Sequence, residues 1–157
     1  MSDITTGTWQ LDPTHTEVGF TVRHLMSKVR GKFESFEGTL VTADDITAST
    51  VNVSVELASI NTGTADRDNH LRSGDFFNVE TNPTMTFVST SIAGEGEEYT
   101  MVGDLTINGV TKQVELDVEF FGTSVFPMDQ STRAGFSATG TISRKDFGIN
   151  FNAPVGA

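Results

Sequence analysis

Residues 98–121, EYTMVGDLTINGVTKQVELDVEFF, decide the fold of this chain, because apolar and polar side chains alternate through them almost one by one. The alternation runs in two segments, 98–107 and 110–121, and a period of two is typical of strands with one buried and one solvated face. Between them lies Asn108-Gly109, a pair that two-residue hairpin turns favour because both positions need a positive φ. The stretch predicts two long antiparallel strands joined by a tight turn.

The same alternation recurs along most of the chain and predicts eight strands. In residues 28–41 the apolar positions change phase near Glu34 and Ser35, which predicts a bulge or bend there. The eight predicted strands cover approximately residues 7–11, 17–23, 29–41, 49–58, 84–93, 98–107, 110–124 and 132–144.

One stretch interrupts the alternation, ADRDNHLRSGDFFNVETNP at residues 65–83. It predicts a short helix that Thr64 caps and Gly74 ends, with an i,i+4 pair between Asp68 and Arg72. The helix has too little apolar surface to cover a sheet, so the strands must bury one face among themselves. Long strands and short hairpins favour an all-β, eight-stranded antiparallel up-and-down barrel capped at one end by this helix, and a two-sheet sandwich is the alternative.

The interior of such a barrel is either filled by side chains or wide enough for one small ligand. The predicted inner face mixes small residues, such as Gly103 and Gly140, with large apolar ones, and strands of this length enclose a tunnel of roughly 25 Å. A lipid chain in an apolar lumen and a solid interdigitated core are both consistent with this pattern. The predicted lumen residues are Phe20, Val22, Phe33, Phe36, Val53, Val55, Phe87, Met101, Leu105, Phe120 and Phe136.

Composition narrows the class of protein. The 157 residues suit one domain, spanning 1–157, and the net charge of -11 argues against nucleic acid and anionic membrane surfaces as partners. The chain has no cysteine, which excludes disulfides and thiolate chemistry. No apolar run is long enough for a spanning helix, and the first residues do not resemble a signal peptide, so we expect a cytoplasmic protein without stable membrane insertion.

Five blocks in this order resemble the YceI-like family, whose members are also called polyisoprenoid-binding or lipid-binding proteins. The blocks are WQLDPTHTEVGFTVRH (9–24), VRGKFESFEG (29–38), HLRSGDFFNVETNPTMTF (70–87), GDLTINGVTK (103–112) and GFSATGTISRKDFGIN (135–150). The chain departs from the usual family pattern in two small ways, with Asn78 where Asp is usual and Thr16 where Ser is frequent.

The resemblance implies a lipocalin-like barrel that holds an isoprenoid chain, such as a polyprenyl or quinone tail, or another long-chain amphiphile. It also implies a possible homodimer, no cofactor beyond the bound lipid, and no catalytic residue. We therefore expect a lipid-binding protein for storage, transport or sequestration rather than an enzyme. Two alternatives remain: an enzyme or isomerase acting on a lipid through a His/Asp/Arg cluster, and a solid-core stress-response interaction module.

Polar candidates for chemistry are few. His15, His24 and His70 lack the short spacing of a metal site, so we expect hydrogen-bonded histidines at a barrel rim and no metal. Cations near the helix are candidates for a lipid head group, with intramolecular pairing as the alternative, and a pair of phenylalanines is expected to anchor the helix as a lid. The head-group or lid candidates are Arg67, His70, Arg72, Phe76 and Phe77, and Arg144 and Lys145 are further cations considered for the head group.

Overall fold

The structure, a computed structural model, describes residues 6–24, 27–73, 77, 79–125 and 127–142. In these residues the chain forms ten strands, two short 3-10 turns and one α-helix. The strands are β1 (Gly7–Gln10), β2 (Val18–His24), β3 (Ser27–Phe33), β4 (Phe36–Thr42), β5 (Thr50–Glu56), β6 (Ile60–Asn61), β7 (Thr84–Glu95), β8 (Glu98–Ile107), β9 (Val110–Val125) and β10 (Thr132–Thr139), the helix is α1 (Ala65–Arg72), and the 3-10 turns are Ile46–Ala48 and Leu57–Ser59.

Seven strands form one curled antiparallel sheet, a half-barrel, in the order β1-β4-β5-β7-β8-β9-β10. The other three form a smaller sheet in the order β2-β3-β6. From β4 to β10 the large sheet follows the order of the chain, as in an up-and-down barrel, whereas β1 pairs with β4 and not with its sequence neighbour β2. The predicted all-β antiparallel barrel fold with one short helix is confirmed.

The strand count differs from eight for a local reason. The predicted third strand is divided into β3 and β4 at the phase change, because the main-chain N–H groups of Glu34 and Ser35 leave the ladder and donate to the hydroxyl of Ser59, at 3.1 and 3.0 Å. This corner passes the chain from the small sheet to the large one. The short strand β6 has only two residues, Ile60 and Asn61, and alternation is not visible over such a length.

The predicted hairpin between β8 and β9 is confirmed. Asn108 and Gly109 both have positive φ, 56° and 75°, which is the geometry of a type I′ turn. Ile107 pairs with Val110 next to the turn, and the ladder continues without a shift to the pair of Glu98 and Glu119. This register places the odd-numbered residues of β8 and the even-numbered residues of β9 on the same face.

Candidate functional site

The apolar face of the large sheet, called here the inner face, is continuous from β4 to β10. Pairing in register joins Phe36 to Val55, Val53 to Phe87, Phe87 to Leu105, and Phe120 to Phe136. Side chains directly opposite each other in a ladder lie on one face. Eight of the predicted lumen residues therefore lie on the inner face: Phe36, Val53, Val55, Phe87, Met101, Leu105, Phe120 and Phe136.

The small sheet contributes two more predicted lumen residues. The rings of Phe20 and Phe33 pack with centroids 5.4 Å apart, and Phe33 belongs to a buried cluster with Val55 of the large sheet. The two sheets thus share one core. Val22 is part of β2, but its side chain lies outside the residues that the structure describes.

Burial along the inner face is uneven. Near α1 the side chains are fully covered, with Val55 at 2%, Leu57 at 0% and Ile107 at 3% exposure. On β10, by contrast, the ring of Phe136 is 36% exposed although it packs against Phe120 at a centroid distance of 5.0 Å. The interior is therefore closed at the helix end and leaves apolar surface accessible on β10.

The helix end is sealed by apolar side chains. Leu71 of α1 and Phe77, which follows it, contact both the cluster around Phe33 and the cluster around Ile107. The ring of Phe77 meets that of Phe33 edge to face at 6.1 Å, and its N–H donates to the carbonyl of Leu71 at 3.0 Å. Phe77 thus occupies the position of an anchor under α1, whereas its predicted companion Phe76 lies outside the described residues.

The two arginines of α1 donate to the main chain. Arg72 donates to the carbonyls of Ala58 and Ile60 at 2.8 and 3.2 Å, and Arg67 donates to the carbonyl and hydroxyl of Thr62, both at 2.8 Å. These bonds attach the helix to β6 and its flanks. They favour the intramolecular interpretation of both cations over the head-group one.

The predicted ion pair between Asp68 and Arg72 is wrong. The Asp68 side chain is buried and accepts from the N–H and hydroxyl of Thr62, at 2.9 and 2.5 Å. The prediction considered only neighbours within the helix, and it failed because the preceding loop offers closer partners to both side chains. Thr64 is the first flanking residue of α1, as predicted, but its side chain makes no capping hydrogen bond. His70 lies exposed in the last turn, and Gly74, Arg144 and Lys145 lie outside the described residues.

Three glycines in or beside the two sheets, including the predicted interior residues Gly103 and Gly140, do not border free volume. A Cβ on Gly103 would lie 2.8 Å from Cε1 of Phe87, one on Gly31 would lie 2.8 Å from Cε1 of Phe20, and Cζ of each ring would lie closer still. Gly140 is covered in the same way by Leu116. Each glycine is a socket: a side chain of the adjacent strand occupies the space that a Cβ would need, so these glycines are required for packing.

A charged cluster lies between β1 and β10, and its arginine, Arg133, was not among the residues predicted for any site. The Asp12 carboxylate accepts from the N–H of Thr14 at 3.0 Å, contacts Nδ1 of His15 at 2.7 Å and forms an ion pair with the guanidinium of Arg133. Arg133 also approaches Asp129 at 3.4 Å. The hydrogen bond from His15, supported by the Thr14 N–H and the Arg133 charge, holds the pKa of Asp12 below its ordinary value.

In this cluster the Asp12 carboxylate lies between an imidazole and a guanidinium, which is not a metal-ligand set. Among the described residues no group of three or more His, Cys, Asp or Glu side chains is placed to hold a metal ion. In the same part of the chain, no helix is long and apolar enough to cross a membrane.

Two shallow depressions open on the polar side of the large sheet. One, of about 360 Å³, is lined mainly by polar residues of β4, β5 and β7, including Glu37 and Asn52. The other, of about 390 Å³, is lined mainly by polar residues of β8, β9 and β10, including Asp117 and Glu119, together with Ala93 and Gly94 of β7. Wide openings with polar walls suit an apolar chain poorly, so we take the inner face as the candidate site.

Sequence relatives span most of the chain. A UPF0312 protein of Photorhabdus laumondii is 44% identical over 144 residues, which cover 90% of this chain and 73% of the relative. A UPF0312 protein of Staphylococcus epidermidis is 43% identical over 146 residues, covering 92% of this chain and 83% of the relative.

Solved structures agree with the fold. The YceI protein of Campylobacter jejuni is 38% identical, with a TM-score of 0.71 over 88% of this chain and 82% of its own. BcnA of Burkholderia cenocepacia superposes with a TM-score of 0.80 at 22% identity, over 90% of this chain and 86% of its own. A polyisoprenoid binding domain from Saccharophagus degradans gives 0.54 at 20% identity, over 73% and 68%. The last two show likeness of fold alone.

The family model described as the YceI-like domain matches residues 9–157, nearly the whole chain. This match agrees with the relatives in sequence and with the curled antiparallel sheet. The chain belongs to the YceI-like domain family.

Proposed function

We propose that this protein binds the apolar chain of a long amphipathic lipid, an isoprenoid or a similar molecule, along the inner face of its curled sheet. The observation that carries the proposal is the continuity of that face: apolar side chains pair in register from Phe36 on β4 to Phe136 on β10. One end of the face is sealed by Leu71 and Phe77, so a bound chain would be shielded there from water.

The magnitude of the hydrophobic effect suits such a ligand. Each buried CH₂ group contributes about 0.8 kcal/mol, so one five-carbon isoprene unit removed from water contributes about 4 kcal/mol. A few units are enough for stable binding without a charged pocket. Binding without a charged pocket is consistent with the hydrogen bonds of Arg67 and Arg72, whose guanidinium groups donate to main-chain carbonyls.

The comparisons support the class of ligand. The Saccharophagus degradans domain of this fold is described as polyisoprenoid binding, and the chain shares the YceI-like family with further relatives. We propose that the protein acts by binding rather than by catalysis, because the described cluster at Asp12 holds its carboxylate against the imidazole of His15 and the guanidinium of Arg133 and has neither a nucleophile nor a metal-ligand set.

The test uses the single tryptophan of the chain, Trp9, as a fluorescence donor to a conjugated polyene lipid. Trp9 pairs with Leu40 of the inner face, so a bound polyene should quench its emission in a saturable way. In parallel, organic extraction of the purified protein followed by mass spectrometry should release a long-chain lipid.

The decisive variant is Phe136→Asp, which places a charge on the inner face, and Ser137→Asp is its matched control because neighbouring strand residues point to opposite faces. Phe136→Asp should abolish quenching with the circular dichroism spectrum retained, while Ser137→Asp should bind as the wild type does. A wild-type protein that extracts empty and shows no saturable quenching with polyprenyl or quinone lipids would refute the proposal and favour a solid core.

A further inference from the structure

The two edge strands of the large sheet are β1 and β10, the first and last in its strand order. Within the described residues, β1 pairs only with β4 and β10 pairs only with β9, and no ladder joins β1 to β10. Along the line between these two edges, called here the seam, the described residues show none of the repeated main-chain hydrogen bonds that join the other neighbouring strands of this sheet.

Side chains cross the seam instead. Asp12, two residues after the end of β1, forms an ion pair with Arg133 near the start of β10, although 121 positions separate them in the chain. Both side chains are about one-third exposed, Asp12 at 30% and Arg133 at 32%. An ion pair in contact with water is weak, because solvent screens the charges and both side chains lose rotational freedom.

The same two edges are apolar on the inside. Trp9 of β1 pairs with Leu40, and Phe136 of β10 pairs with Phe120, so both rings lie on the inner face at its two edges. Trp9 and Phe136 each lie three residues from a member of the ion pair, so each edge carries both an apolar ring and a charge. An amphiphile matches such edges, with its chain against the rings and its polar end in water.

The helix end is held much more firmly. Opening it would expose the apolar contacts of Leu71 and Phe77 with two core clusters, and would break the bonds from Arg72 to the carbonyls of Ala58 and Ile60. Several buried contacts and hydrogen bonds must be lost together there, whereas the ion pair described across the seam is exposed to solvent.

We propose that the Asp12–Arg133 ion pair is a latch on a lateral seam, and that a long-chain amphiphile enters and leaves the inner face through this seam when the latch opens. This inference rests on the proposed lipid-binding function and adds its route of exchange. A latch changes how often the open state is populated, so its loss speeds uptake and release together and changes equilibrium affinity little.

The experiment measures uptake and release of a polyene fatty acid by stopped-flow quenching of Trp9. Asp12→Asn and Arg133→Gln should each raise both rate constants about two- to fivefold, the range expected for an exposed ion pair. Asp129→Asn is the matched control: Asp129 also neutralises Arg133, but it lies on the β10 side, four residues away, and does not span the seam. The double variant Asp12→Arg with Arg133→Asp should return the rates toward those of the wild type.

A second arm closes the seam by chemistry. The chain has no cysteine, so Asp12→Cys with Arg133→Cys places two unique thiols that a short bifunctional reagent can join across the seam. Cross-linking should slow exchange below the wild-type rate, and the reagent should leave the wild-type protein unaffected. Hydrogen exchange of the amides in 8–12 and 132–139, faster in Asp12→Asn without any lipid, reports opening of the seam independently of binding.

The outcomes separate the two proposals. If the wild type binds the polyene but the single variants and the cross-linked protein exchange it at the wild-type rate, the latch is wrong and lipid binding stands. If the wild-type protein does not bind the polyene, both the proposed function and the latch are wrong. Faster exchange in both single variants, rescue by the charge swap and slowing by the cross-link would establish the seam as the route.

Discussion

Substitution of Gly103 by alanine tests whether the small interior residues are sockets for neighbouring rings or linings of empty space. A Cβ at this position would lie 2.6 Å from the carbonyl oxygen of Val88 and 2.8 Å from Cε1 of Phe87, with Cζ of that ring closer still. The ring can turn aside, but the carbonyl belongs to a strand of the same ladder and cannot. Overpacking of this kind costs about 1–3 kcal/mol. A central value of about 2 kcal/mol lowers the melting temperature of a chain of this size by about 4–8 °C.

The assay is thermal and urea unfolding followed by circular dichroism. Gly135→Ala is the matched control, because its Cβ would meet Phe121 at 3.5 Å, an ordinary contact, and alanine is otherwise favoured over glycine in a strand. Adding Phe87→Leu to Gly103→Ala should recover part of the lost stability, since the overlap of the new Cβ with the Phe87 ring is removed. Its overlap with the Val88 carbonyl oxygen is kept. A Gly103→Ala protein as stable as the Gly135→Ala protein would refute the socket explanation.

Three further variants or titrations test other contacts. Burial, with the carboxylate of Glu95 as the smaller cause, raises the pKa of Tyr99 above its ordinary value of 10.0, so phenolate absorbance of this single tyrosine should appear above that pH. Because the pKa of Tyr99 is higher in the folded than in the unfolded state, its contribution to the free energy of unfolding should be complete below pH 10.0 and decline above it. Titration of the phenol at or below pH 10.0 would contradict the burial. Arg72→Ala should reduce the free energy of unfolding by about 2 kcal/mol. Arg72→Lys should be about as unstable, because an ammonium group cannot span two carbonyls as the guanidinium does. Wild-type stability in the lysine variant would argue against the bond to two carbonyls. Phe77→Ala should lower the free energy of unfolding in urea by about 2–4 kcal/mol. Phe121 is exposed, so Phe121→Ala should change it by less than about 0.5 kcal/mol. Equal losses in the two variants would contradict the seal at the helix end.

Local pattern was sufficient for the longer strands and their inner face. The alternation around Asn108 and Gly109 predicted both strands and their turn, and the phase change at Glu34 marked the corner between the two sheets. Eight predicted lumen residues share one face of the large sheet because a period of two fixes the face of each residue once the register is known. How many of them touch a ligand stays a prediction.

Contacts between distant parts of the chain were not predictable from one sequence. Nothing near Arg72 indicated that its partners would be the carbonyls of Ala58 and Ile60, since main-chain acceptors have no sequence pattern. The pairing of β1 with β4 and the contact of Asp12 with Arg133 depend on how the whole sheet curls. The same limit explains the glycines, because a small residue looks alike in sequence whether it borders a void or a ring.

The strand order also has a consequence for folding kinetics. Neighbours from β7 to β10 are adjacent in the chain, so their hairpins close short loops and form early. The contact between Asp12 and Arg133 must close a loop of 121 positions, and loop-closure entropy places it among the last to form. During synthesis β1 is made long before β10, so the apolar face of the nascent sheet stays open along one edge until β10 pairs with β9. An apolar face exposed in this way is the kind of surface that chaperones shield from aggregation.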